Sequence, residues 1–420
     1  VLCNPDGTQQ VIYDERSPKY VDHLNKTFYF LEDGRCFIVR EETSTGYMHL
    51  YLYGIGQGVL HPITQGEWEV TDFVGLRGDK VYYISTESSP LKRDLYRVGL
   101  DGKHKERLTP GDGYYSIYPS ADLSYYICEG GDSSAPGRTD VFNAAGKRVR
   151  TLYDNAPLKE ALVEAGLPVR EFFTFTTERG DELNGYMLKP LDFDPAKRYP
   201  VLLTQYSGPG SQQVAEGWGP DWEDALVTHG YIVVCVDPRG TGYRGEEFKK
   251  LTYGNLGRLE VEDQISTARY MARQSYVDPA RIGIYGWSYG GFMALGCAFR
   301  GEGLFKMAIA VAPVTSWRYY DSIYTENFNG LPDDYPKGYD DNSPVNLAHL
   351  FRDDSTRLLI VHGTADDNVH FQNTMEMARA LNKLGKQYDM MVYPDQNHSM
   401  MPDDMIHVRE KMLRYTLENL

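Results

Sequence analysis

The chain contains no run of 18 or more apolar residues, which excludes a membrane-spanning helix of ordinary length. Positive charge is scarce: 43 Lys plus Arg against 59 Asp plus Glu leave a formal net charge of −16, with no extended basic run. A protein that grips a phosphate backbone needs a concentrated positive surface, so nucleic acid is not an expected partner. Cysteine is sparse. Cys3, Cys36, Cys128, Cys235 and Cys297 are widely spaced, odd in number and show no CxxC pairing, which excludes a zinc knuckle and a dense disulfide framework but leaves room for one bridge. There is also no signal-peptide pattern and no starting Met, so Val1-Leu2-Cys3 reads as a chain entered midway.

The 420 residues exceed what one core holds, so two or three domains are expected. The 33 tyrosines suit half-buried strands and polar-tipped clefts. Across residues 1–160 a pattern repeats. His49-Leu50-Tyr51-Leu52-Tyr53, Asp94-Leu95-Tyr96-Arg97-Val98 and Thr139-Asp140-Val141-Phe142 each precede a Gly-containing turn and a further short apolar-polar run, with starts 45 residues apart. Asn4-Pro5-Asp6-Gly7 looks like the tail of a still earlier unit. Alternating short runs between turn residues signal antiparallel strands, and a period of this length suits the four-stranded blade of a β-propeller. Propellers close with about 4 to 8 blades, so three units and a remnant predict an incomplete propeller and a chain that is the C-terminal piece of a longer one.

From residue 161 onward the texture changes. Val201-Leu202-Leu203, Ile232-Val233-Val234-Cys235-Val236, Ile282-Gly283-Ile284 and Leu358-Leu359-Ile360-Val361 are unalternated apolar runs, with helix-like stretches at 258–274 and 371–385. That pattern predicts a mostly parallel, doubly wound sheet covered on both faces, with its chemistry in the loops at the carboxyl ends of the strands. Gly286-Trp287-Ser288-Tyr289-Gly290 fits G-x-S-x-G between such a strand and a helix, the setting of an α/β-hydrolase nucleophile. Serine is a poor nucleophile at its free pKa and needs a base and an orienting acid. In this fold they follow in the order acid, then histidine. Asp366 or Asp367, after one apolar strand, and His398, after the strand-like 389–393, stand in that order. His362 and His370 flank the acidic loop without metal-ligand spacing, so no metal site is expected and both read as structural.

These motifs, together with Val311-Ala312-Pro313-Val314, Trp317-Arg318-Tyr319-Tyr320-Asp321-Ser322-Ile323-Tyr324-Thr325-Glu326 and His362-Gly363-Thr364-Ala365-Asp366-Asp367-Asn368-Val369-His370, resemble the prolyl oligopeptidase-type serine peptidases, in their dipeptidyl peptidase IV branch. The resemblance spans nearly the whole chain and implies an α/β-hydrolase domain preceded by part of a β-propeller. It implies Ser288 as nucleophile, Asp366 rather than Asp367 as acid, and His398 as base. Tyr206 and the Tyr289 backbone amide correspond to the oxyanion hole. Val314, Trp317, Tyr320, Tyr324 and Val369, with Tyr289, correspond to the pocket for a penultimate proline or alanine, and Asn368 to a residue that hydrogen-bonds the substrate carbonyl.

The activity so implied is a serine exopeptidase that releases amino-terminal dipeptides through an acyl-enzyme, without metal or organic cofactor. Its partners are peptides with a free amino terminus, and it is expected to form a homodimer. A prolyl endopeptidase or esterase of the same fold, and a non-catalytic scaffold, are the alternatives. The family's amino-terminus-binding glutamates belong to a region before this one, and Glu41-Glu42 is not given their role. Met307, standing where some animal members have a disulfide cysteine, and only two N-x-[ST] sequons (Asn25 and Asn397) point to a bacterial member at the periplasm or cell surface.

Overall fold

The computed structural model describes residues 1–22, 26–166 and 168–420, so the Asn25 sequon lies outside the described residues. Two compact units are present: Val1–Glu164 with Ala215–Gly219 and Tyr243–Lys249, and Ala165–Val214 with Pro220–Gly242 and Lys250–Leu420. All five cysteines are unpaired. No described helix is long and apolar enough to cross a membrane.

The first unit carries three four-stranded antiparallel sheets, each following chain order. They run from Phe28–Phe30 to Gly58–Pro62, from Val70–Arg77 to Glu106–Arg107, and from Tyr114–Pro119 to Arg148–Tyr153. The sequence repeat marks their third strands, His49–Gly54, Asp94–Gly99 and Arg138–Asn143. The remnant at 4–7 is the turn of a two-stranded hairpin pairing Leu2 with Gln10 and Cys3 with Gln9. The equivalent turns of the second and third sheets close on Gly102 at φ 76° and Gly146 at φ 77°, left-handed values that an L side chain adopts only under strain.

Each sheet buries apolar side chains against its neighbour. Ile38, Leu50, Val70, Val81 and Tyr83 pack between the first two, and Leu95, Leu108, Tyr115, Tyr126 and Phe142 between the second and third. The acidic pair is engaged within this unit: Glu42 is buried in an ion pair with Lys249, and Glu41 accepts hydrogen bonds from the Thr43 and Ser44 hydroxyls at 2.7 and 2.5 Å.

The second unit is built on one eight-stranded sheet: β1 (Glu171–Thr176), β2 (Glu182–Leu188), β3 (Tyr199–Thr204), β4 (Ile232–Asp237), β5 (Val277–Trp287), β6 (Met307–Val311), β7 (Arg357–Gly363) and β8 (Asp389–Tyr393). Their order across the sheet is β1-β2-β4-β3-β5-β6-β7-β8. β1 and β2 pair antiparallel at one edge and β2 meets β4 antiparallel; all remaining pairs are parallel. Every residue of β3, β4 and β6 is buried, which accounts for their unbroken apolar sequences. The strand order reverses beside β3, so the loops after β3, β5, β7 and β8 gather at the carboxyl edge where open α/β sheets hold their ligands.

Leu95 is 1% exposed between two blades, and Leu95→Ala is expected to lower stability by about 2–5 kcal/mol through lost burial and a residual cavity. A denaturant midpoint that does not move would contradict this packing.

Candidate active site

Ser288 sits between β5 and α1 (Tyr289–Arg300) with φ 62° and ψ −117°, a strained conformation for a residue bearing a side chain. Its neighbours explain why the turn needs glycine. A Cβ on Gly286 would lie 2.2 Å from the Gly290 carbonyl oxygen, one on Gly290 would lie 2.5 Å from that of Gln205, and one on Gly291 would lie 2.6 Å from that of Val311. The turn is pinned by the Ser288 amide donating to the Val311 carbonyl at 2.8 Å and the Phe292 amide donating to the Ser288 carbonyl at 3.0 Å. The helix starts at Tyr289, directly after the serine. Its unpaired first amides and positive dipole end adjoin the serine, a setting that favours an oxyanion.

The acid and the histidine come from the loops after β7 and β8. His398 Nδ1 lies 2.7 Å from Asp366 Oδ2. The same oxygen lies 3.1 Å from His362 Nε2, while Asp366 Oδ1 accepts the backbone amides of Asn368 at 3.0 Å and Val369 at 2.9 Å. Burial pushes the Asp366 carboxyl up, but the hydrogen bonds from His362 and His398 together outweigh it and hold the group well below the usual carboxylate range. Asp367 is exposed, so it is Asp366 that the fold brings to His398. The Trp287 indole Nε1 donates to the His398 carbonyl at 3.1 Å, which ties the serine turn to the histidine loop. Among the described residues no hydrogen bond joins the Ser288 hydroxyl to His398.

The expected pocket residues also converge. Val314 and Trp317 are buried, and Trp317 lies in ring contact with Tyr289 (5.4 Å between centroids), Tyr320 (6.1 Å) and Tyr324 (6.2 Å). Tyr320 meets Tyr324 edge-on at 5.4 Å, and its hydroxyl donates to Asn368 Oδ1 at 2.8 Å, which links the aromatic run to the acid loop. Burial, with the Asp321 charge, pushes the Tyr320 phenol up to about 12, so it stays a neutral donor. Tyr324 lies in the first turn of α2 (Ser322–Asn329), which is capped by Asp321 accepting the Tyr324 amide at 2.8 Å. Val369 is fully buried. Tyr206, just beyond β3, places its ring 6.0 Å from that of Tyr289, and burial raises its phenol.

The chain resembles known proteins over most of its length. Residues 218–420 match the prolyl oligopeptidase family and residues 1–136 the dipeptidyl peptidase IV N-terminal region. The chain is of the dipeptidyl peptidase IV type. It is 41% identical over 366 residues to dipeptidyl-aminopeptidase B of Aspergillus niger, covering 84% of this chain and 40% of that protein. The crystal structure of Porphyromonas gingivalis dipeptidyl peptidase 4 superposes with a TM-score of 0.91 at 41% identity, over 96% of this chain and 57% of the other. A Bacteroides ovatus structure described as a dipeptidyl aminopeptidase IV gives 0.88 at 28% identity, over 96% of this chain and 60% of that one. The chain thus spans between about two fifths and three fifths of the length of these relatives.

Two supports of this site escape sequence reasoning. Gln205, after β3, donates its amide to the carbonyls of Gly290 at 2.9 Å and Tyr285 at 3.3 Å, clamping the Tyr206 segment to the serine turn. Glu260, in the helix Arg258–Ala272, is fully buried, reaches back to the Gly257 amide at 3.0 Å and accepts the Tyr289 hydroxyl at 2.6 Å. Gly257-Arg258-Leu259-Glu260 lacks the Ser or Thr that marks a capping box, and the reach of Glu260 to Tyr289 spans 29 residues of sequence. Gln205 carries no motif.

Burial raises Glu260 from an ordinary 4.5 to about 7, against the opposing hydrogen bond from Tyr289. The native state then binds more protons than the unfolded chain between those values, and this group's contribution to stability falls as pH rises through that window. Glu260→Gln is therefore expected to gain stability relative to the parent between about pH 4.5 and 7 and to hold a constant difference above it. A difference that stays flat across the window in denaturation at several pH values would contradict the assignment.

Proposed function

We propose that the second unit is the catalytic domain of a serine exopeptidase that releases dipeptides from peptides with proline or alanine second from a free amino terminus. We further propose that residues 1–160 and 161–420 are its propeller and hydrolase domains. The observation that carries the reading is the 2.7 Å contact between His398 Nδ1 and a buried, ionised Asp366, beside a serine on a left-handed strand-to-helix turn.

In this reading His398 uses its Nδ1 proton on Asp366, which leaves Nε2 to take the Ser288 proton as Oγ attacks the scissile carbonyl. Asp366 stays a carboxylate and stabilises the imidazolium so formed. The Tyr206 hydroxyl and the Tyr289 amide stabilise the tetrahedral oxyanion. His398 then protonates the leaving amine, and water enters by the same route to free the dipeptide. The flat rings of Trp317, Tyr320 and Tyr324 with Val314 and Val369 suit a small pyrrolidine or methyl side chain, and Asn368, held by Tyr320, orients the substrate carbonyl. A periplasmic or cell-surface location and a homodimer, which the family resemblance implies, are parts of the same proposal.

Ser288→Ala is expected to cut hydrolysis of a Gly-Pro chromogenic amide by about 10⁴-fold or more. Acetylating the substrate's amino group is expected to remove most turnover where the family's amino-terminus-binding glutamates accompany this chain. Undiminished activity in the serine variant refutes the mechanism; equal activity on the acetylated amide instead indicates an endopeptidase. Tyr206→Phe is expected to lower kcat by about 10²–10³ with little change in KM, as loss of one oxyanion donor does. Steady-state kinetics that show a KM effect alone would remove Tyr206 from the oxyanion hole.

A further inference from the structure

His362 closes β7 and is wholly buried, four residues before Asp366. Its Nε2 lies 2.8 Å from the Val369 carbonyl oxygen and 3.1 Å from Asp366 Oδ2. Neither oxygen has a hydrogen to give, so Nε2 carries the proton and donates to both. On the other side of the ring, Nδ1 lies 2.7 Å from the Thr374 hydroxyl, which fixes the ring plane and supplies the hydrogen when the imidazole is neutral. Phe371 packs edge-on against the ring at 5.5 Å. A histidine serving only to fill the core would find these partners anywhere. Here its donor is shared between the very carboxylate oxygen that receives His398 and the carbonyl of Val369, whose own amide returns to Asp366 Oδ1 at 2.9 Å.

We infer that His362 is a positioning residue of the acid–base pair: its Nε2–H holds Asp366 Oδ2 and the Val369 carbonyl in place, and by sharing the carboxylate charge it sets how strongly Asp366 stabilises a protonated His398. The inference rests on the serine-peptidase reading above. The groups that face Asp366 are His362 from β7, His398 from the loop after β8, and the Tyr320 phenol, whose ionisation Asp366 opposes; Asp367 adjoins it in the chain. Removing one donor from a carboxylate makes it more basic. A more basic Asp366 holds the proton of His398 more tightly, so the free base is available only at higher pH.

The test is the rate of covalent labelling of the whole chain by a fluorophosphonate across pH, which reads serine activation without any demand on peptide selectivity. His362→Met, similar in bulk but without a donor, is expected to slow labelling by about ten- to a hundredfold and to move the acid limb of the profile up by about half to one pH unit. His362→Gln, whose amide nitrogen can donate from a similar position, is expected to recover most of both. Methionine and glutamine variants impaired equally, or a methionine variant with the parental profile, overturn the inference. If His362→Met does not fold, Thr374→Val takes its place: a smaller shift in the same direction supports the assignment, and an unmoved profile overturns it. Failure of the parent chain to label, or labelling that survives Ser288→Ala, overturns the serine-peptidase reading itself and this inference with it.

Discussion

A carboxylate without access to bulk water must have its lone pairs filled, and Asp366 has them filled by four N–H groups from three places: two backbone amides of its own loop, His362 on β7, and His398 on the loop after β8. Much of the candidate site is a consequence of that demand. The amides curl the 366–369 loop into one conformation, which sets Asn368 within reach of Tyr320 and buries Val369. The imidazole of His398 is oriented with one nitrogen on the acid, and the Trp287 indole, through the His398 carbonyl, couples that loop to the serine turn. The same demand fixes the charge state: a buried acid with so many donors is an anion at neutral pH.

The second constraint is steric. The serine turn is possible only because Gly286, Gly290 and Gly291 leave their backbone neighbours room, so the motif's glycines are spatial requirements of β5, β6 and the segment after β3 rather than local flexibility. Gln205 and Glu260 complete this frame. One clamps the Gly290 carbonyl, and the other holds the phenol of Tyr289, whose backbone amide opens α1. Strain at Ser288 is thus sustained by hydrogen bonds that originate far away in the chain.

In the first unit the physics is of another kind. Each four-stranded sheet has an apolar face that it cannot bury alone, so stability comes from stacking blade upon blade through Leu50, Tyr83, Leu95 and Tyr126. The 45-residue repetition seen in the sequence is the spacing of third strands, and its turn glycines recur because the hairpin after each needs a left-handed residue.

Local pattern alone determined a good deal: strand-forming repeats in the first 160 residues, buried parallel strands in the rest, and a serine, an acid and a histidine in order at strand ends. All of these are statements about neighbours in the chain, which periodicity and turn chemistry encode directly. The tertiary structure decided what sequence distance conceals. On spacing alone Asp366 and Asp367 are equivalent; once folded, one lies under two imidazoles and the other is exposed. His362, indistinguishable in sequence from a core histidine, shares an oxygen with His398, 36 residues further on in the numbering, and Gln205 reaches Gly290 across the sheet. Such contacts depend on which strands lie side by side, and strand order is set by the packing of the whole sheet, not by any window of residues within it.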